Sequence, residues 1–242
     1  MSSSSPPKST ETDSKQRILE VAVDLFSRKG YRGTSVASIC EKAQVNVAAV
    51  NYHFHSKLEL YVQIWRIALE RDTQLNPFDG GVPEDAPAED RLKASVQALI
   101  QRFVRPNAPS ELAMLIIHEL ASPTDPAVDE VRLNAIQPPH TAMRKLVREM
   151  LGNEATDQEV LYTTMGVFIP VIGLGLQQQS VYRRYQRSND DGELIQNKLP
   201  GAVLREAIEQ EGGYEALIEH ITTTTLAGIH AIRDRIEKRG TP

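Results

Sequence analysis

A single cysteine among 242 residues, Cys40, excludes an internal disulfide and any cysteine-rich metal site. It falls at an inward-facing helical position, where a small apolar side chain packs a core. Long apolar runs are also missing. The stretch around 165–176 is about a dozen residues and contains Pro170, which reads as too short to span a bilayer. The chain has no glycine-rich phosphate loop and no Gly-x-Ser-x-Gly. His118-Glu119 starts like the His-Glu-x-x-His of zinc proteases, but Ser122 stands where the second histidine is needed. His140, His220 and His230 are isolated along the chain and fit surface or hydrogen-bonded core positions. These absences argue against an enzyme and require neither metal nor cofactor.

What is present is helical periodicity. No alternating strand pattern and no internal repeat occur, so the fold class is all-α. Residues 34–60 carry the most information. Thr34 is placed to cap a short helix in which Val36, Ile39, Cys40 and Ala43 share one face. Gln44 and Val45 make a tight break. Asn46 can cap a second short helix, 47–53, whose outward residues are Ala48, Ala49, Asn51, Tyr52 and His53. Phe54 returns to the core, and Ser56-Lys57-Leu58-Glu59 has capping-box form, starting a long helix to about residue 74. Two short helices and a long one, almost without loops, present the middle one as a helix-turn-helix for the DNA major groove.

Charge divides along the chain in the same sense. Between Lys8 and Arg66 nine basic side chains meet six acidic ones, so of the net −5 this part holds +3 and the remainder −8. The basic excess suits a polyanion, and the acidic remainder is repelled by one.

Residues 1–12 are Ser/Pro/Thr-rich and read as a disordered tail, not a signal peptide. Asp13 or Ser14 can cap a first helix with an apolar stripe of Ile18, Ala22, Leu25 and Phe26, ended by Arg28-Lys29-Gly30. Residues 76–87 form a Pro/Gly/Asp-rich break. Helices are expected at 88–104, 109–121, 125–136, 139–151, 157–186, 202–211 and 214–238, with Pro138-Pro139 interrupting the third and fourth of these and Thr156–Glu159 capping the fifth. Residues 188–201 read as a polar loop. The domain division is therefore 1–12, 13–56 and 57–242.

The helix from 157 is apolar on two sides: Leu161, Met165, Phe168, Ile169, Ile172 and Leu176 on one, Val160, Val167, Val171 and Leu174 on the other. Such a helix needs two covers, its own domain and a second subunit. The last helix places Ile218, Ile221, Thr225, Ile229, Ile232 and Ile236 at helical spacing, with small Ala227 and Gly228 allowing close approach.

The motif at 33–57 resembles the TetR family of bacterial transcriptional repressors. The matching residues are Gly33-Thr34-Ser35, Ile39, Ala43, Val45, Tyr52-His53-Phe54 and Ser56-Lys57, preceded by Gln16–Leu19, Ala22, Leu25, Phe26 and Gly30. The chain departs from the common pattern at Asn46, where Ser is usual, at Ala48-Ala49, where Gly-Thr is usual, and at Asn51, where Tyr is usual. Asn46–Val50, with His118–Thr124 and Pro138-Pro139-His140, looks like the CecR-type branch.

The resemblance implies a three-helix DNA-binding domain and a larger helical domain for ligand binding and dimerisation. It implies a palindromic DNA operator bound by a cytoplasmic homodimer, a small-molecule effector that releases it, and no membrane. Expected DNA contacts are Thr34, Ser35, Asn46, Val47, Ala48, Ala49, Asn51, Tyr52, His53 and Lys57. Kinks at Gly166, Pro170, Gly173 and Gly175 point to a pocket lined by Met114, Leu115, His118, Met165, Phe168, Ile169 and Ile172. Two rivals stand beside this reading: the same fold controlled by a protein partner or by nothing, and a helical small-molecule binder with a vestigial DNA head.

Overall fold

A computed structural model describes residues 8–104, 110–124, 129–188 and 200–240. Among these are ten α-helices and no strand. α1 (Lys8–Lys29), α2 (Val36–Ala43) and α3 (Val47–Phe54) form the N-terminal head, and α4 (Lys57–Leu75) runs from it into the body. The body contains α5 (Ala88–Phe103), α6 (Glu111–Ala121), α7 (Asp129–Leu151), α8 (Asp157–Ser188), α9 (Pro200–Glu209) and α10 (Gly213–Gly240).

Several expected boundaries shift for physical reasons. α1 starts at Lys8, so residues 8–12 are helical, not a tail, and neither Asp13 nor Ser14 is its cap. Residues 1–7, and most of the expected loop at 188–201, lie outside the described residues. Thr34 does not cap α2. Ser35 does, accepting from the Ser38 amide at 3.0 Å while Ser38 Oγ accepts from the Ser35 amide at 3.2 Å. Pro138 and Pro139 do not divide two helices, because α7 runs through both. They remove two amide donors, but Ala135, Met143, Leu146 and Val147 are buried on either side, and packing against α5 and α8 holds the helix together. α8 is likewise continuous through Gly166, Pro170, Gly173 and Gly175.

α8 presents two faces, as its periodicity requires. Val160, Val167 and Val171 are buried, while Leu161, Ile169 and Leu176 stand exposed. Its Asp157–Gln177 segment of 21 residues is long and apolar enough to cross a membrane, contrary to the shorter run read from the sequence. Only a third of that window is buried, and α8 packs on α5, α7 and α9. The isoleucine stripe of α10 turns toward its own domain, with Ile229 and Ile236 buried and Ile218, Ile221 and Ile232 half-buried. Ala227 and Gly228 face outward.

The head is joined to the body where α6 crosses α1 and α4. Tyr61 of α4 packs at a tilt against Phe26 and Tyr31, at 4.9 and 5.1 Å between ring centroids, and donates its hydroxyl to Glu119 Oε1 of α6 at 2.9 Å. The second Glu119 oxygen accepts from the Thr124 amide at 2.9 Å. Burial and the neighbouring carboxylate push the Tyr61 phenol well above its ordinary value, so it stays a donor. Nearby, His118 Nε2 donates to the Ser27 carbonyl at 3.1 Å. Gly30, at φ +69°, makes room for that ring: a Cβ there would lie 2.9 Å from His118 Nδ1.

The far end of α4 is held by a buried cluster. Arg102 of α5 pairs with Asp72 and donates to the Asn76 carbonyl at 2.6 Å, with its guanidinium 4.0 Å above the Phe78 ring. Asn76 in turn donates to the Ala98 carbonyl at 3.0 Å. The end of α10 is tied to the start of α8 by Glu159, which accepts from Arg239 of α10 at 3.0 Å and from the Thr156 amide at 2.9 Å.

Tyr61→Phe deletes one donor to a buried carboxylate and should lower unfolding free energy by about 1–3 kcal/mol. Trp65, the lone tryptophan and fully buried, reports the change in a urea titration. Backbone amide and Arg239 bonds hold the Glu159 carboxyl down, from 4.5 to about 2. A depressed acid stabilises above its unfolded value and loses that as pH falls. The stability difference between wild type and Glu159→Gln should therefore be constant above pH 4.5 and vanish as the pH approaches about 2, as read by thermal melts.

Candidate nucleic-acid interface and helical cavity

The reading head is built by short-range rules. α2 ends at Gln44, whose left-handed backbone (φ 54°) lets the Val45 amide return to the Cys40 carbonyl at 3.0 Å. Asn46 then caps α3, its Oδ1 accepting from the Ala49 amide at 2.9 Å. Val50 and Phe54 of α3 are buried with Ile39, Cys40 and Ala43 of α2. Burial raises the Cys40 thiol pKa, in keeping with a packing role. Ser56 caps α4 by accepting from the Glu59 amide at 3.1 Å.

The expected contact residues divide on this frame. Val47, 50% exposed, and Tyr52, 69% exposed, stand outward with Ala48 and Asn51. Among the described residues no side chain holds the Asn51 amide. Ser35 and Asn46 are exposed, though their oxygens are committed as caps. Ala49 is half-buried against the core. His53 is half-buried, with Nε2 at 3.0 Å from Ser14 Oγ, so it fastens α3 to α1. Lys57 sits in the first turn of α4 with its ammonium 4.0 Å from the Tyr31 ring centroid, and desolvation lowers its pKa from the usual lysine value.

Thr34 does not fit a contact role. It is 2% exposed, and its hydroxyl donates to the Leu25 and Gly30 carbonyls at 3.1 and 2.9 Å. The hydroxyl locks the end of α1 to the start of α2. Ser14 was read from the sequence only as a helix cap, and Tyr31 was not singled out. Both act across tertiary contacts, with α3 and with Lys57, that no local motif encodes.

The expected pocket residues divide as well. Leu115 is buried, His118 is committed to Ser27, and Ile169 is 63% exposed on the far side of α8. Phe168 lines a cavity of about 490 Å3 between α5, α7, α8 and the 76–87 connection. Its apolar wall includes Phe78, Leu99, Pro138, Met143 and Phe168, with Phe168 stacked on His140 at 5.5 Å. Its rim holds Arg91, ion-paired with Glu149, and Lys145. Desolvation and Arg144 lower the His140 pKa. A second groove, about 280 Å3, runs between α8 and α10 over Gly166, Val167 and Gly228.

Comparison with known proteins agrees with this architecture. Residues 18–64 match the family described as bacterial regulatory proteins, tetR family. Residues 88–198 match the family of the C-terminal domain of the HTH-type transcriptional dual regulator CecR. The helix-turn-helix segment of the chain thus resembles the DNA-binding domain of TetR-family regulators. More particularly, the segment that follows is similar to the CecR-type C-terminal domain.

Over 61 residues the chain is 36% identical to the HTH-type transcriptional regulator AcrR of Shigella flexneri, covering 25% of this chain and 28% of that protein. Over 49 residues it is 41% identical to the biofilm operon icaADBC HTH-type negative transcriptional regulator IcaR of Staphylococcus aureus (strain Newman), covering 20% and 26%. The chain spans only about a quarter of the length of these relatives. The fold resembles the fatty acid degradation regulator FadR of Bacillus halodurans, with a TM-score of 0.55 at 14% identity over 94% of this chain and 98% of that one. FadR from Bacillus subtilis, solved in complex with stearoyl-CoA, gives 0.52 at 13% identity over 86% and 97%. AibR, solved with isovaleryl coenzyme A and operator DNA, gives 0.51 at 20% identity over 67% and 85%.

Two substitutions separate positioning on the duplex from base reading. Lys57→Ala should weaken binding to a specific site and to random duplex alike, and reduce the slope of log affinity against log salt by about one. Asn51→Ala should weaken only the specific site, by about ten-fold or more. Fluorescence anisotropy on both duplexes across a salt series measures the two effects.

Proposed function

We propose that this chain is a cytoplasmic, ligand-responsive transcriptional repressor that binds a palindromic operator as a homodimer. The observation that carries the DNA part is α3 itself: an Asn46-capped helix anchored by Val50, Phe54 and His53, with Val47, Ala48, Asn51 and Tyr52 outward. Its residues fall in the TetR-family match, where an IcaR-like negative regulator is among the relatives.

The exposed side of α8 supports a second copy. Leu161, Ile169 and Leu176 form an apolar strip beside a groove floored by small residues, which admits a helix at close range. Covering the strip with the same strip of another protomer gives a two-fold assembly and two reading heads, hence two half-sites.

For the effector, the cavity at Phe168 replaces the pocket read from the sequence. Its wall is apolar and suits an apolar tail; its rim carries the carboxylates Asp79, Glu84 and Glu149 beside Arg91 and Lys145, and with Arg91 paired to Glu149 it is Lys145 that meets an anionic head. The acyl-CoA thioesters in the AibR and FadR structures have that character. The cavity abuts Phe78, which stacks on Arg102 and so reaches Asp72 of α4, the helix that follows the reading helix.

The test combines mass and mobility. Sedimentation of the wild-type chain should give a dimer that shifts a duplex selected from its own upstream region, and stearoyl-CoA should release it. Ile169→Glu should sediment as a monomer and bind that duplex about 100-fold more weakly or worse, because the second half-site contact is no longer tethered. A wild-type monomer would refute the dimeric reading, and a duplex retained with every acyl-CoA present would refute this effector.

A further inference from the structure

The reading helix is uncharged, and that restricts which bases it can recognise. Among the eight residues of α3, VAAVNYHF, there is no Lys, Arg, Asp or Glu. Its imidazole, His53, is held against Ser14. In the major groove guanine is read by the fork of Arg or by Lys at O6 and N7, and cytosine N4 by a carboxylate. α3 offers neither chemistry. Thymine, by contrast, shows a C5-methyl that apolar side chains cover, and adenine presents N6 and N7 to Asn.

The exposed face of α3 contains those two chemistries. Val47 and Ala48 form an outward apolar patch in the first turn, directly after the Asn46 cap. Val47 leaves half its surface in water and helps little in the helix, since a β-branched residue restricts the first turn. Asn51 lies one turn further on, at i+4 from Val47 and i+3 from Ala48, so the three share one face. The span from Val47 to Asn51 is about 6 Å along the axis, or roughly two base-pair steps of B-DNA. Two nearby cations lie on other helices: Lys15 of α1, 6.0 Å from the ring of buried Phe54, and Lys57 of α4, over Tyr31.

We propose that this chain, granted the DNA-binding reading above, selects its operator through thymine methyl groups. Val47 and Ala48 cover the C5-methyls of one or two thymines in each half-site, and the Asn51 amide takes an adenine about two base pairs away. The determinant is the methyl itself, not the shape of A·T-rich DNA.

Binding-site selection by the full chain from a random duplex pool gives the half-site. The selected duplex is then remade with deoxyuridine at each thymine in turn. It is also remade with cytosine·guanine or 5-methylcytosine·guanine in place of each thymine·adenine pair. Fluorescence anisotropy should show one or two positions per half-site where loss of the methyl weakens binding about four-fold, the value of one buried methyl. At those positions 5-methylcytosine should bind better than cytosine. Val47→Ser, at an exposed site, should fold normally and lose the deoxyuridine penalty while still binding duplex. Equal binding of thymine and deoxyuridine duplexes, a G·C-only half-site, or 5-methylcytosine no better than cytosine would overturn methyl reading, the last in favour of A·T shape. Retention of no duplex from the pool would instead overturn the regulator reading on which this one stands.

Discussion

The structure depends on a buried carboxylate. Glu119 of α6 sits almost fully out of water and accepts from the Tyr61 hydroxyl, the Thr124 amide and the Thr124 hydroxyl. A carboxylate that deep in protein is costly unless its oxygens are satisfied, so these donors must stay where they are. Tyr61 is fixed in turn by the rings of Phe26, Tyr31 and Trp65. The angle of α4 against α1, and with it the pose of the head, therefore follows from one acid and the groups gathered around it.

α4 is seated at both ends. Its first turn holds Lys57 over Tyr31, and its last is gripped by Arg102 through Asp72 and the Asn76 carbonyl. A helix clamped at two points moves as a rod, so a change at Phe78, which lies under Arg102 and lines the Phe168 cavity, acts at the opposite end from the reading helix. Between them, Tyr61 and Glu119 form the pivot. Such a layout gives the body a mechanical hold on the head without any residue common to both surfaces.

Local chemistry was legible and tertiary chemistry was not. Asn46, Ser56 and Thr156 cap their helices as their spacing requires, because a cap is decided within four residues. The two-faced α8 followed from periodicity alone. Thr34 looked like a cap, yet its hydroxyl is spent on carbonyls as far back as Leu25, a contact that only folding creates. Pro138-Pro139 looked like a break, yet the packed faces on either side outweigh two lost hydrogen bonds. The expected pocket residues divide for the same reason. Phe168 and Ile169 are neighbours in sequence but face opposite ways, one into the cavity and one into solvent, and burial, not apolar character, decides which lines a site.

The most direct test is hydroxyl-radical footprinting of a selected duplex by the full chain. An account in which two copies of α3 enter successive major grooves on one side of the duplex requires two protected patches centred about 10 base pairs, or one helical turn, apart. A single patch, or uniform protection along the duplex, would contradict it.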